Sequence, residues 1–410
     1  MTGGGKTFVR KVPSGLSGLW KTGRPLLARL DIELTERCNN HCLHCSVNLP
    51  AGDGRARRRE LTAADIKAVL EEAASLGCLS VRFTGGEPLL REDFETVYLA
   101  ARRLGLKVRV FTNATLLTPR LAALFEKTPP LEKMEISIYG MSAGSEAAVT
   151  GNPGSHEASR RGINLLVKHG IPFVLKGAIL PATKNEMDRF EAWAGEIRGA
   201  DGPPSYAMLF DLRSRRDDEA KNGQIRRLRL GPMEYSRLAA RRGGGHAAEL
   251  RAFVAKFSGP CGDRLFNCLS DSGSVDAYGR FQVCLTLRHP RTVYDLKKGS
   301  LRKAVTEFLP EVREMRSTNP AYLKRCGLCF LKSLCLQCPA KSWAEHGTLD
   351  TPVAYFCGIA HAQAVSIGVL KEGEAAWDVD DWPALVDRLA ASSPSPGKAR
   401  SGVPAKCEGE

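Results

Sequence analysis

The sequence predicts an α/β chain: a partial (β/α)6 barrel over residues 27–212, followed by a small cysteine-rich domain. Three observations predict it. Short apolar, β-branched runs alternate six times with helix-like runs, and the connections are short, which is the pattern of a parallel sheet with helices outside. Residues able to carry chemistry fall where those strands end, on what would be the catalytic face of such a barrel. From Cys261 the pattern changes: nine of the thirteen cysteines lie from there on, eight of them between Cys261 and Cys357.

The elements follow in order. Ala28–Leu34 reads as the first strand and breaks at Thr35-Glu36-Arg37 into a loop holding Cys38, Cys42 and Cys45. After a turn-rich crossover, Thr62 is placed to cap a helix running to about Leu76, which Gly77 ends. Leu79–Thr84 is a buried-type strand ending in Gly85-Gly86-Glu87-Pro88. Helix Asp93–Leu104, strand Leu106–Thr112 ending at Asn113, and short helix Pro119–Lys127 come next. Strand Lys133–Tyr139, helix His156–His169, strand Ile171–Leu180, helix Asn185–Ile197 and strand Pro204–Leu212 complete a TIM-like partial barrel. Residues 1–26 are an N-terminal extension, and 213–258 a basic, mostly helical connector. Residues 259–370 form the cysteine-rich domain, within which Ser274–Cys284 reads as a hairpin. Residues 371–410 are a C-terminal helix and a disordered Ser/Pro/Gly tail.

Composition sets bounds. The chain has 410 residues, 43% hydrophobic and 25% charged, which leaves room for two domains. No secretory signal and no membrane-length apolar run is present, so a cytoplasmic, reducing compartment is expected and clustered Cys read as metal ligands. The formal charge is +14, but the basic groups, such as Arg213-Ser-Arg215-Arg216 and Arg226-Arg227-Leu-Arg229, read as solvated faces. No nucleic-acid motif with interleaved aromatics accompanies them, so neither nucleic acid nor membrane is expected as a partner.

Three thiols in a CxxxCxxC spacing can converge on one small object. A 4Fe–4S cube held by three thiolates keeps one iron open for a ligand. A zinc site would need a fourth ligand, and His41 or His44 could supply it. Glycines at 85 and 86 let backbone approach a ligand closely. Cys38-xxx-Cys42-xx-Cys45 after the first strand, with Gly85-Gly86-Glu87-Pro88 after the second, resembles the radical S-adenosylmethionine enzymes. The resemblance implies that the three Cys hold a 4Fe–4S cluster whose open iron takes the methionine end of S-adenosylmethionine. Reductive cleavage then yields a 5′-deoxyadenosyl radical that abstracts a substrate hydrogen. It further implies that Gly85, Gly86 and Glu87 hold the cofactor's ammonium group. Asn113 and Ser137 match positions holding its ribose and carboxylate, Lys176 is a further candidate, and the His44 ring would lie against the adenine.

The later cysteines resemble the SPASM extension of that superfamily: Cys268, then Gly279-xxxx-Cys284, then Cys326-xx-Cys329-xxxxx-Cys335 with Cys338 behind and Cys357 beyond. The resemblance implies two auxiliary 4Fe–4S clusters, one on Cys261, Cys268, Cys284 and Cys338, the other on Cys326, Cys329, Cys335 and Cys357. Structural Cys₄ zinc sites are the alternative. Cys335-xx-Cys338 is one residue shorter than the family's usual spacing. Relatives mostly modify ribosomally made peptides or proteins by crosslink, thioether or residue oxidation. The formylglycine-forming branch carries an Asp directly after the cysteine matched by Cys284, and Leu285 stands there instead. Asp271 and Asp276 are the nearby candidate bases. A small molecule such as a tetrapyrrole or an alcohol is the alternative substrate, and a non-enzymatic zinc module the third reading. A ferredoxin or flavodoxin would donate the electron. With only 37 residues ahead of the cysteine loop, peptide recognition is expected from the basic connector or from a separate leader-peptide-binding protein.

Overall fold

The computed structural model describes residues 27–241, 245–266 and 272–392. They form two compact units: residues up to 228 with 271–285 and 292–310, and residues 229–270, 286–291 and 311 onward.

The first unit is built on β1 (Arg29–Thr35), the short β2 (Arg37–Cys38) and β3 (Leu49–Pro50), β4 (Ser80–Gly85), β5 (Lys107–Thr112), β6 (Met134–Ser137), β7 (Phe173–Ala178), β8 (Ser205–Ala207), β9 (Ser272–Val275), β10 (Arg280–Gln282) and β11 (Val293–Asp295). One open sheet runs β11-β10-β9-β1-β4-β5-β6-β7-β8, and β2 pairs with β3 apart from it. From β1 through β8 every neighbour is parallel. This is the partial (β/α)6 barrel the alternation predicts.

Period-two patterning explains the layering. Leu30, Ile32, Leu34, Val81, Phe83, Val108 and Val110 are buried, and the Phe83 ring packs edge-on against Phe94 of the helix Phe94–Arg103, 6.4 Å away. The alternate positions are charged. Asp31, Arg82 and Arg109 stand in register, Asp31 pairs with Arg82, and Arg109 reaches Glu132 (2.8 Å) and Glu135 (3.0 Å). A closed barrel would fill that face with branched apolar side chains.

Helix Ala63–Ser75 starts at Thr62, whose side chain and Asp65 form a capping box. The helix Ala143–Thr150, opened by a Ser142–Ser145 capping box, was not expected, because its Ala- and Gly-rich sequence shows no apolar stripe. The strand expected at Pro204–Leu212 pairs only over Ser205–Ala207, though Met208, Phe210 and Leu212 stay buried. The expected hairpin at Ser274–Cys284 is β9–β10, but β9 pairs in parallel with β1, so these residues extend the barrel sheet.

In the second unit the helices Pro232–Ala240, His246–Phe257, Ala354–Ser366 and Trp382–Ser392 accompany short turns at 320–338. Val254, Phe330, Leu331, Ala360 and Ile367 share one apolar cluster, against which Cys329 and Cys335 pack. No helix among the described residues is long and apolar enough to cross a membrane.

Candidate active site

The cysteine loop is pinched at its base by the β2–β3 pair, which sets Cys38 opposite Pro50. On one side it is tied to the end of helix Ala143–Thr150: the His41 N–H donates to the Thr150 carbonyl (2.6 Å) and the Leu43 N–H to Val149 (2.9 Å). The Asn40 N–H donates to Cys38 Sγ (3.4 Å), and Asn113 Nδ2 approaches the same sulfur at 3.9 Å. Burial, then the Glu87 charge, pushes the Cys38 thiol up to about 12. Burial lifts Cys42 well above its ordinary value, and Cys45 and Cys38 add to it. The three sulfurs therefore lie within electrostatic range of one another, in a pocket that opposes free thiolates and would favour them on a cationic metal. Among the described residues no three His, Cys, Asp or Glu side chains surround a single ion position. A four-iron cube puts each thiolate on a different iron, and the donor set fits that group.

Gly85 and Gly86 lie backbone to backbone on the entry to this loop. The Gly86 N–H donates to the Thr35 carbonyl (2.7 Å), and the Glu87 N–H to Arg37 (2.9 Å). Gly85 has φ +125°, and a Cβ there would stand 2.0 Å from the Thr35 oxygen; one on Gly86 would stand 2.2 Å from that of Arg37. Only glycine permits this approach. Glu87 is 1% exposed, and its carboxylate accepts from Leu89 N–H (3.1 Å), Thr112 Oγ1 (2.7 Å) and Asn113 N–H (2.8 Å). Its donors are thus the protein's own, and they join the ends of β4 and β5.

The remaining expected residues divide. The His44 ring lies 4.7 Å from Tyr139 and 5.2 Å from Phe210, and its buried Nδ1 has no hydrogen-bond partner. Burial, then the Lys221 charge, lowers it to about 4, so it is neutral at ordinary pH. Ser137 bonds the buried Tyr139 hydroxyl, which in turn feels Cys42 and Cys45. Tyr139 also lines a shallow cleft at the ends of β6, β7 and β8, with Met141, Thr183, Glu186, Phe190 and Tyr206. Lys176 Nζ is half-exposed and paired with Glu135 at 2.7 Å. Tyr139, Phe210 and Glu186 were not singled out from the sequence: they follow β6, β8 and β7, and no local pattern marks them.

Asp276 is a turn residue: its Oδ1 accepts the Tyr278 and Arg280 N–H groups, both at 2.9 Å, closing the β9–β10 hairpin. Cys268 and Asp271 lie outside the described residues, as does the tail beyond 392. Cys284 is exposed in the first unit. In the second unit Cys326 and Cys335 each feel Cys329 and Cys357, and Cys261 is felt by Cys326 and Cys329. Cys338 precedes the helix Pro339–His346.

Residues 32–194 match the Radical SAM superfamily. The chain is 26% identical to the AdoMet-dependent heme synthase of Methanosarcina barkeri over 77% of its length and 92% of that protein. It is 35% identical to the PqqA peptide cyclase of Gluconobacter oxydans over 35% of its length, spanning 39% of that relative. In fold it is similar to Streptococcus suis SuiB bound to precursor peptide SuiA, with TM-score 0.59, 15% identity, and coverage of 82% of this chain and 76% of that one. With the cysteine loop, the glycine pair beside it and the parallel strand order in place, the chain carries a Radical SAM superfamily domain over residues 32–194.

Proposed function

We propose that this chain is a radical S-adenosylmethionine enzyme that oxidatively modifies a ribosomally synthesised peptide or protein. The observation that carries the chemistry is the packing of Gly85-Gly86 onto the loop bearing three mutually coupled thiols. When bound, the cluster and S-adenosylmethionine supply reductive carbon–sulfur cleavage and a radical that abstracts a substrate hydrogen. Cys38, Cys42 and Cys45 would hold the cluster. The Gly85 and Gly86 carbonyls would face the cofactor's ammonium group, with Glu87 fixing their strand ends through its three bonds. Neutral His44, Tyr139 and the cleft beside them offer an apolar, partly aromatic wall for an adenine. Asn113 holds Thr115 through Oδ1 (2.6 Å) and keeps Nδ2 toward the cysteine loop.

We assign Cys326, Cys329, Cys335 and Cys357 to one auxiliary cluster, on their electrostatic proximity, and keep a second auxiliary cluster as part of the proposal. The peptide substrate is supported by the likeness to SuiB, which is bound to its precursor peptide, and by the PqqA peptide cyclase match. A low-potential ferredoxin or flavodoxin would supply the electron, and a separate leader-binding protein could deliver the peptide.

A tetrapyrrole substrate is the second reading, favoured by the heme synthase match, which spans 92% of that protein. The test is anaerobic: reconstituted protein, S-adenosylmethionine and a chemical reductant, with and without candidate peptide or iron porphyrin. Formation of 5′-deoxyadenosine in wild type and its loss in Cys38/Cys42/Cys45→Ala is expected. Stimulation by the peptide supports the first reading, stimulation by the porphyrin alone the second, and no 5′-deoxyadenosine contradicts both.

A further inference from the structure

The group Arg213-Ser-Arg215-Arg216 was expected to be a solvated face, with Arg215, Arg216, Arg226 and Arg227 of the basic connector as candidate peptide contacts. Arg213, Lys221 and Asn222 are instead buried, and Arg215 nearly so. Arg213 Nη1 donates to the Asn48 carbonyl (3.3 Å), Arg215 Nη1 to Val47 (2.9 Å) and Lys221 Nζ to Cys42 (2.8 Å). Three cations from one segment thus grip three carbonyls of the loop that carries Cys38, Cys42 and Cys45. The segment is itself braced. Asp217 pairs with both Arg213 and Arg215 at 2.7 Å, and Asn222 Oδ1 accepts the Arg213 N–H at 2.9 Å. Arg215 also pairs with the buried Glu36 at 2.5 Å, whose same oxygen accepts the Tyr278 hydroxyl at 2.7 Å.

The two arginines have carboxylates, whereas Lys221 has none in hydrogen-bond range among the described residues and rests on one carbonyl. A buried ammonium with a single neutral acceptor is costly unless an anion stands close. Cys42 and Cys45 are the groups that act on it most, with Arg213 opposing its charge and Asp218 favouring it. Neutral thiols do not meet that need, but thiolates ligating an iron–sulfur cluster, an assembly of net negative charge, do.

We infer that Lys221 is a positioning and charge-balancing residue for the cluster that Cys38, Cys42 and Cys45 would hold. It fixes the Cys42 backbone and stabilises the more negative, one-electron-reduced state. The inference rests on the proposed function. The electron comes from a low-potential one-electron donor; no bond is made and no proton moves. A fixed positive charge beside the ligands raises the cluster's reduction potential, since net charge and hydrogen bonding set that potential.

The test uses the full chain as wild type, Lys221→Met, Lys221→Gln and Lys221→Arg. In metal-free protein, hydrogen exchange of residues 41–48 is followed. Lys221→Met should speed it roughly tenfold or more, as loss of a buried charge-assisted bond predicts, and Lys221→Gln, which keeps a neutral donor, should speed it less. In reconstituted protein, the midpoint potential is read by electron paramagnetic resonance on the signal that Cys38/Cys42/Cys45→Ala removes. It should move to more negative values in both neutral variants and stay near wild type in Lys221→Arg. Unchanged exchange and an unchanged midpoint in Lys221→Met overturn the inference. If wild type binds no iron through those three cysteines, the proposed function and the charge-balancing role fail together, and the exchange data then decide the positioning role alone.

Discussion

At Glu87, burial and hydrogen bonding oppose each other, and burial wins: the carboxyl is raised from its ordinary 4.5 to about 7 despite three donors. The folded state then holds this proton more tightly than the unfolded chain. Its contribution is full below about 4.5 and is lost as pH rises through about 7, a change on the order of 3 kcal/mol. Metal-free wild type should therefore lose stability across that window, and Glu87→Gln should flatten the slope in melts taken from pH 4.5 to 8. At pH 8 Glu87→Gln should be no less stable than wild type, because the neutral amide avoids the cost of a buried, ionised carboxylate. Asp276→Ala should lower stability by about 1–2 kcal/mol through loss of its two turn bonds. As a turn residue it should leave the pH profile of turnover unshifted, and a displaced profile would restore its candidacy as a base. The sequence made the thiols legible because their spacing is local. It hid Tyr139 and Lys221, which reach the site from remote strands and helices, and it read Arg213, Arg215 and Arg216 as solvated because nothing local marks which carbonyls such cations meet.

The β4 turn is the element on which the site depends. Gly86→Ala would set a methyl within 2.2 Å of the Arg37 oxygen and 2.6 Å of the Glu36 oxygen, with backbone on both sides. It should destabilise by about 2 kcal/mol or more and lower the iron retained by the cysteine loop, read by denaturant melts and iron assay. Gly52→Ala, where nothing lies within 4 Å, is the control and should change neither. Strand and helix alternation made β1 and β4 through β7 readable, since period and punctuation are properties of short windows; the two-residue β2 and β3 fell in what read as loop and crossover. The return of β9 to pair with β1 was not readable: Leu30 meets Gly273 across a span that leaves no local pattern. The same holds for β8, whose apolar run continues past the last ladder bond at Ala207.

At the scale of the whole molecule, the chain divides into the barrel unit and a second unit that gathers Cys261, Cys326, Cys329, Cys335 and Cys357. If the second unit holds its own cluster, Cys326→Ser with Cys357→Ser should remove about four irons and leave the signal dependent on Cys38, Cys42 and Cys45 in place. The most direct measurement is iron and sulfide per chain after anaerobic reconstitution, in wild type and in Cys38/Cys42/Cys45→Ala. The account predicts about twelve irons falling to about eight, with zinc absent. A chain that takes up zinc and no iron, or whose iron is unchanged when those three cysteines are removed, would contradict it.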